Sequence, residues 1–261
     1  MDTVLDILTG ISSLADKSLL RQIPDFAGEP RFKMLESLHE YAVERLEERG
    51  EAERFRTLHM EYFRALLDRA SEELRGEHQA QWFDRLALEN DNIRAALRTA
   101  RDASDHQPLL EMVYGLWRFW VVRGYVREGS VWTEEAARLA GGADPRSAAK
   151  ALYAAGEMAH ARMDRTMAEA HWHRALETCI AAEDREGVAT IQNVLGNLEF
   201  ERGHTDVAED LYRSSLALFK EIDDKRGQAQ VQNNLGHIAS THEDWATSLQ
   251  CLEQSLQLFN E

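Results

Sequence analysis

Cysteine and proline are scarce in this 261-residue chain, which contains two of the first and four of the second. Cys179 and Cys251 stand apart, with no CxxC motif and no Cys/His cluster, so the sequence indicates neither a zinc site nor a redox pair. We expect both to be buried thiols in a reducing cytoplasm. Glycine is also infrequent, whereas Ala, Leu, Glu and Arg are abundant, and this composition favours helix over sandwich, barrel or disorder. An all-α fold is therefore predicted.

The chain also has fewer positive than negative residues, and it has no long apolar run. Thirty Lys plus Arg stand against forty-six Asp plus Glu, a formal net charge of −16. Such a surface repels nucleic-acid phosphates and anionic headgroups, so direct nucleic-acid binding by this chain is not expected. No stretch of about 18 apolar residues indicates a membrane span, and the first twenty residues lack the basic start of a signal peptide. The sequence predicts a cytoplasmic protein without membrane contact.

What the chain does have is an internal repeat. Three glycines lie forty residues apart, at Gly156, Gly196 and Gly236. Three further positions recur at the same spacing: a small residue (Ala168, Ala208, Ser248), a large one (Trp172, Tyr212, Leu252) and a second small one (Ala175, Ser215, Ser255). Each unit contains two amphipathic segments that cannot cover their own apolar face, so the units are expected to stack as helix hairpins. We place them at 107–145, 146–185, 186–225 and 226–261, the first being degenerate.

This spacing resembles the tetratricopeptide repeat, in its longer variety of about forty residues. The resemblance implies that the first helix of each unit lines a concave groove, with the positions three before and one after the repeated glycine, or after Trp117 in the first unit, facing into it. Those positions form a predicted partner-binding groove of eight residues: Tyr114, Arg118, Tyr153, Glu157, Asn193, Asn197, Asn233 and His237. Met163 and Glu243 stand where the third unit has its turn glycine, Gly203, so those two turns are expected to differ in shape.

The asparagines of the groove allow two interpretations. An amide offers both a donor and an acceptor, so Asn193, Asn197 and Asn233 suit a peptide backbone or a small polar ligand. Alternatively, the amides bond to one another between adjacent helices. Repeats of this kind that bind a peptide C-terminus place Lys or Arg beside asparagine. Those basic residues are missing at the Asn193 and Asn233 positions, which disfavours a C-terminal carboxylate as ligand.

The N-terminal third does not follow the repeat. A helical period over "TVLDILTGISSLADKSLL" precedes two extended runs, Leu19 to Ile23 and Arg31 to Leu35, joined by a turn containing Pro24 and Gly28. A helix followed by a β-hairpin is the back half of a winged helix, which we place at 1–50. Three amphipathic helices run from residue 35 to 102 with glycines between them, and a helical linker is placed at 51–106.

A second resemblance rests on "LADKSLLRQ", "GEPRFKMLESLHEYAVERLEERGE" and "LALENDNIRAALRTA". These stretches are similar to LuxR-type transcriptional regulators of the STAND class of signal-transducing ATPases. The resemblance implies a nucleotide-binding core before Met1 and a helix-turn-helix after Glu261. This chain would then be the non-catalytic region that binds a protein, peptide or small inducer in its groove. The alternative is a free-standing tetratricopeptide scaffold that assembles other proteins, and a remote third is an enzyme with an unrecognised site.

No motif predicts catalysis, a cofactor or a metal. "GISSLADKS" ends in Lys-Ser but lacks the GxxxxGK[ST] spacing of a phosphate loop, and neither GxSxG nor HExxH occurs. His171 and His173 flank Trp172 about 200° apart on a helix, so they cannot share one ion, and both are expected to face solvent.

Overall fold

The structure, a computed structural model, describes residues 2–26 and 28–260. It divides the chain into two compact units, one formed by Met1–Phe63 with Asp84–Thr99 and the other by Arg64–Phe83 with Ala100–Glu261. The domain boundaries near residues 50 and 106 stay a prediction. Among the described residues, no helix has the length and apolar character needed to cross a bilayer.

The first unit begins with the predicted helix and hairpin. Its elements are α1 (Asp2–Asp16), β1 (Leu20–Phe26), β2 (Glu29–Met34) and α2 (Glu36–Glu48). The two strands pair antiparallel, with Leu20 opposite Met34 and a register shift between Ile23 and Phe26. Pro24, expected in the turn, lies in β1 at that shift, where a missing backbone N–H is tolerated. The hairpin is therefore confirmed, with a shorter turn than predicted.

Three helices follow, each divided between the two units. They are α3 (Ala52–Glu73), α4 (Gln79–Leu88) and α5 (Asn90–Asp102). The sequence pattern over residues 79–102 predicts one amphipathic helix, which is wrong, because the chain leaves the helix at Glu89. The Glu89 carboxylate accepts hydrogen bonds from Asn92 and Arg31, at 2.6 and 2.8 Å. An acidic side chain at this position suits the start of a helix, which accounts for α5 beginning at the next residue.

The remaining helices of the second unit form four antiparallel pairs. They are α6 (Gln107–Val122), α7 (Val126–Leu139), α8 (Pro145–Ala161), α9 (Arg165–Ala181), α10 (Arg185–Glu201), α11 (Thr205–Glu221), α12 (Lys225–Thr241) and α13 (Trp245–Asn260). Each odd-numbered helix packs against its predecessor, and α8, α10 and α12 also pack on the preceding pair. The fold is an all-α solenoid of helix hairpins preceded by a short two-stranded sheet, as predicted.

Aspartates spaced by forty residues start the first helices of the last three hairpins. The side chains of Asp144, Asp184 and Asp224 each accept a hydrogen bond from the backbone N–H three residues on. Such an N-cap stabilises a helix by about 1 kcal/mol, because it satisfies a donor that the helix itself leaves unpaired. The caps therefore fix where each groove-lining helix begins.

The turns inside the last three hairpins share one backbone conformation. Met163, Gly203 and Glu243 have φ angles of 63°, 83° and 60°, all left-handed. In each turn the residue after the left-handed one donates its backbone N–H to a carbonyl five residues earlier, at 2.9 to 3.0 Å. The expectation that Met163 and Glu243 change the turn shape is wrong. These helix-ending hydrogen bonds hold the turn even where a side chain makes a left-handed φ unfavourable.

Small residues lie where paired helices approach. A Cβ added at Gly196 would lie 2.6 Å from the Tyr212 ring, and one added at Gly156 would lie 2.3 Å from the Trp172 ring. Ala168 is fully buried beside them on α9. The repeated small positions are thus contacts between helices, as the spacing predicts. The expectation for the cysteines is confirmed for Cys179, which is buried, whereas Cys251 is only half-buried.

Candidate functional site

Three asparagines and a tyrosine form a hydrogen-bonded group on α10, α11 and α12, here called the amide cluster. The side-chain nitrogen of Asn234 donates to the Oδ1 atoms of Asn193, at 2.9 Å, and Asn197, at 3.0 Å. The Tyr212 hydroxyl donates to the same Asn197 oxygen at 2.7 Å. The interpretation in which amides bond between adjacent helices therefore holds for Asn193 and Asn197. These bonds use only the oxygens of the Asn193 and Asn197 side chains. Their side-chain N–H groups donate to no other described residue.

A cavity of about 360 Å³, here called the amide cavity, lies beside this cluster. Its walls come from the first helices α8, α10 and α12 and from two aromatic residues of the second helices. Polar and aromatic lining residues include Glu157, His160, Trp172, Asn197, Tyr212, Asn234 and His237. Three predicted groove residues, Glu157, Asn197 and His237, therefore meet at one cavity.

A second cavity, of about 690 Å³, contains two more of the predicted residues. The rings of Tyr114 and Tyr153 lie edge to face, with centroids 6.3 Å apart. Tyr153 neighbours Glu157, which lines the amide cavity. Arg118 donates its Nε hydrogen to the carbonyl oxygen of Leu74, at 3.1 Å. The predicted residues on α6 and α8 are therefore brought together.

Asn233 is half-buried, and the bridging amide belongs to the next residue, Asn234. Sequence reasoning missed Asn234 because the groove positions were taken from the repeat offset alone. A signal was present, since the equivalent positions of the two preceding units hold Ala154 and Val194. A polar residue at a position that is otherwise apolar indicates a specific hydrogen-bond partner.

Glu157 has the most perturbed carboxyl of the predicted groove. Burial raises its pKa to about 7, against the lowering influence of His160, of the Tyr153 hydrogen bond and of the positive charges of Arg75 and Arg118. Burial also raises the pKa of the neighbouring Tyr153. Near neutral pH the Glu157 carboxyl therefore holds its proton for part of the time and can either donate or accept a hydrogen bond.

This shift predicts a pH dependence of stability. The unfolded carboxyl titrates near 4.5 and the folded one near 7, so the unfolded chain releases the proton first and stability falls between those values. Glu157→Gln removes this loss, and we expect it to raise the free energy of unfolding by about 2 kcal/mol at pH 8 relative to the native chain. Urea denaturation at several pH values measures the difference. Glu253→Gln, at an exposed position of α13, is the control, and parallel curves for Glu157→Gln and the native chain would contradict the prediction.

One expectation about the histidines is wrong. His171 is buried, 3% exposed, and its Nε2 atom lies 3.2 Å from a carboxylate oxygen of Glu134 on α7, whereas His173 is exposed as expected. The α6–α7 hairpin covers this face of α9. Arg174 of α9 also donates a hydrogen bond to α7, at the carbonyl oxygen of Ala137. Within residues 2–26 and 28–260, no three His, Cys, Asp or Glu side chains are grouped so as to hold a metal ion.

Comparison with known proteins supports the repeat. A tetratricopeptide repeat family model matches residues 147–221, the span of helices α8 to α11. The crystal structure of BtubC (BKLC) from P. vanneervenii is similar over 77% of this chain and 91% of its own, with 20% identity and a TM-score of 0.57. The apo form of RapI is similar over 76% of this chain and 70% of its own, with 9% identity and a TM-score of 0.59. At these identities the likeness shows the fold, a tetratricopeptide-like solenoid.

Curated relatives match half of the chain. Three proteins named "Putative HTH-type transcriptional regulator", from Mycobacterium bovis and two strains of Mycobacterium tuberculosis, are 34% identical over 130 residues. The match covers 50% of this chain and 14% of each relative, so the chain spans only a small part of the proteins it resembles. The chain thus carries repeats of a kind that generally binds proteins or peptides, and part of it is similar to much longer proteins.

Proposed function

We propose that this chain is the non-catalytic, signal-sensing region of a longer cytoplasmic transcriptional regulator, and that its groove binds a peptide segment of a partner protein. The groove comprises the amide cluster together with Tyr114, Arg118, Tyr153, Glu157, Asn233 and His237. The observation that carries the proposal is the set of uncommitted amide donors beside the amide cavity. The repeat supports a protein-binding role, while the nature of the partner is our inference.

The chemistry of the amide cluster favours a peptide over other occupants. An extended peptide presents N–H and C=O groups alternately, and an amide side chain matches both kinds. The buried Trp172 and Tyr212 rings also line this cavity. A concave, partly apolar surface with a few placed polar groups is the usual form of a binding site.

The regulator assignment rests on the N-terminal sequence resemblance and on the names of the relatives. We interpret the first helix and hairpin as the remnant of a winged helix that follows an ATPase core of the STAND class. A free-standing scaffold is the alternative. The gene sequence on either side of this chain separates the two, since the regulator requires a phosphate loop upstream and a helix-turn-helix downstream. Absence of both would favour the scaffold.

Peptide selection tests the groove directly. A displayed peptide library is selected on the native chain, and the dissociation constant of a synthesised selected peptide is measured by fluorescence anisotropy. We expect Asn193→Ala with Asn234→Ala to weaken binding about tenfold or more, the loss of roughly one to two hydrogen bonds. The control pair Ser214→Ala with Gln250→Ala changes exposed residues of α11 and α13 and should leave affinity unchanged. Equal affinities for both pairs would contradict the proposal.

A further inference from the structure

The second cavity of the groove collects positive charge in a chain whose net charge is −16. It is here called the arginine cavity, and its cationic lining residues are Arg75, Arg146, Lys150, Arg185 and Arg226. Because the chain as a whole repels anions, this local excess is not part of a generally basic surface. It therefore needs a local explanation.

Backbone carbonyls position two of the guanidinium groups. Arg226 on α12 donates an Nη2 hydrogen to the Arg75 carbonyl oxygen at 3.1 Å, and Arg118 on α6 donates to that of Leu74, also at 3.1 Å. Both carbonyls directly follow α3, and cations stabilise the end of a helix where carbonyls are unpaired. A guanidinium has five donors, and each of these bonds uses one. Carbonyl binding thus explains where Arg118 and Arg226 lie but leaves most of their donors uncommitted.

Carboxylates neutralise the three neighbouring arginines only in part. Across the described part of the chain, no ion pair includes Arg75, Arg118 or Arg226. The negative charge of Glu157 acts on Arg118 and that of Asp224 acts on Arg226, while the Asp184 and Asp224 carboxylates that line the cavity also cap α10 and α12. Arg185 is paired with Glu221 at 3.0 Å, and the exposed acids Glu183 and Glu186 lie at the edge formed by α10. The Arg75, Arg118 and Arg226 group therefore retains net positive charge.

Electrostatics agree with this geometry. Burial lowers the pKa of Arg118, and the positive charge of Arg75 lowers it further. Burial likewise lowers the pKa of Arg226, with additional contributions from Arg75 and Arg118. Arg118 and Arg226 are thus both partly buried and close to like charges. A bound anion would reduce this repulsion.

We propose that the arginine cavity binds the phosphate group of a small phosphorylated molecule. Guanidinium groups bind phosphate through paired, charge-assisted hydrogen bonds, and several converging cations favour a multiply charged anion over a single carboxylate. The Tyr114 and Tyr153 rings supply apolar surface for the rest of the molecule, and about 690 Å³ is the size of a small-ligand site. The inference goes beyond the proposed function, since it assigns a second class of ligand to a different cavity of the same groove.

Isothermal titration calorimetry at low salt tests the site, with pyrophosphate as probe and acetate for comparison. Arg75→Gln is the first variant, because the Arg75 side chain makes no hydrogen bond among the described residues and its carbonyl is retained. Arg75→Gln with Arg226→Gln is the second. The charge-matched control is Arg138→Gln with Arg213→Gln, two exposed arginines ion-paired on α7 and α11.

We expect saturable pyrophosphate binding by the native chain, weakened about tenfold by the double variant and less by Arg75→Gln, with the control unchanged. Three results would overturn the proposal: no saturable binding up to about 10 mM, equal weakening by the control, or acetate binding as tight as pyrophosphate. The last would indicate a carboxylate site instead. No peptide is present in the titration, so its failure leaves the peptide-binding proposal standing, and failure of peptide selection does not affect this titration.

Discussion

Gly196→Leu lowers the free energy of unfolding by about 3 kcal/mol, because the seam between α10 and α11 has no room for a side chain. Even a Cβ at this position would lie 2.6 Å from the Tyr212 ring, which is itself buried. The ring has to move, and its hydroxyl then loses the 2.7 Å hydrogen bond to Asn197. The same substitution should therefore weaken binding of a selected peptide.

Chemical denaturation of Gly196→Leu and Gly141→Leu measures this effect. Gly141 has open space around its position and does not have a left-handed φ, so the same change there should cost little. If the two variants were equally stable, the repeated glycines would not be contacts between helices, and the physical basis of the repeat assignment would be lost.

Trp172→Ala lowers the free energy of unfolding by about 3 to 5 kcal/mol. The Trp172 ring is 2% exposed and packs in a core cluster with Leu195 and Leu198 of the next hairpin. Removing it leaves a void between α8, α9 and α10, and also removes one wall of the amide cavity. Thermal and urea denaturation report the stability change.

Trp172→Phe is the matched variant. The buried Trp172 Nε1 hydrogen has no hydrogen-bond partner among the residues that the structure describes, so phenylalanine keeps an aromatic ring while removing an unsatisfied donor. We expect a cost of less than about 1.5 kcal/mol. A Phe variant as unstable as the Ala variant would show that packing volume is not what Trp172 contributes.

The repeat spacing predicted the four hairpins well because the residues that recur are those that touch across each helix pair. Contacts within one hairpin constrain the glycine and its aromatic partner, as for Gly156 with Trp172 and Gly196 with Tyr212. Such constraints are visible in the sequence. The helix and hairpin before the repeats were also predictable from local sequence, because turn residues close to the strands specify them.

The features that the sequence did not reveal depend on contacts between neighbouring hairpins or on backbone hydrogen bonds. His171 was expected in solvent, and it is buried because the preceding hairpin covers it. Met163 and Glu243 keep the turn of Gly203 because hydrogen bonds that end the helix outweigh side-chain preference. No glycine or proline marks the break at Glu89, so the helical periodicity on both sides of it predicted one continuous helix.

The partner-binding groove stays a prediction. Of the residues that the repeat offsets indicated, Glu157, Asn197 and His237 line one cavity. The offsets did not identify Asn234, which reaches the preceding first helix, α10. Nor did they identify Arg75, which lies outside the repeats and yet lines the groove. Residues contributed by another part of the chain cannot be found by periodicity alone.

Hydrogen–deuterium exchange with and without a selected peptide locates the peptide-binding surface. We expect bound peptide to slow exchange in the first helices α8, α10 and α12, whose residues line the two cavities, and to leave α9, α11 and α13 almost unchanged. Protection confined to α9, α11 and α13 would place the binding surface on the opposite face and would contradict the account.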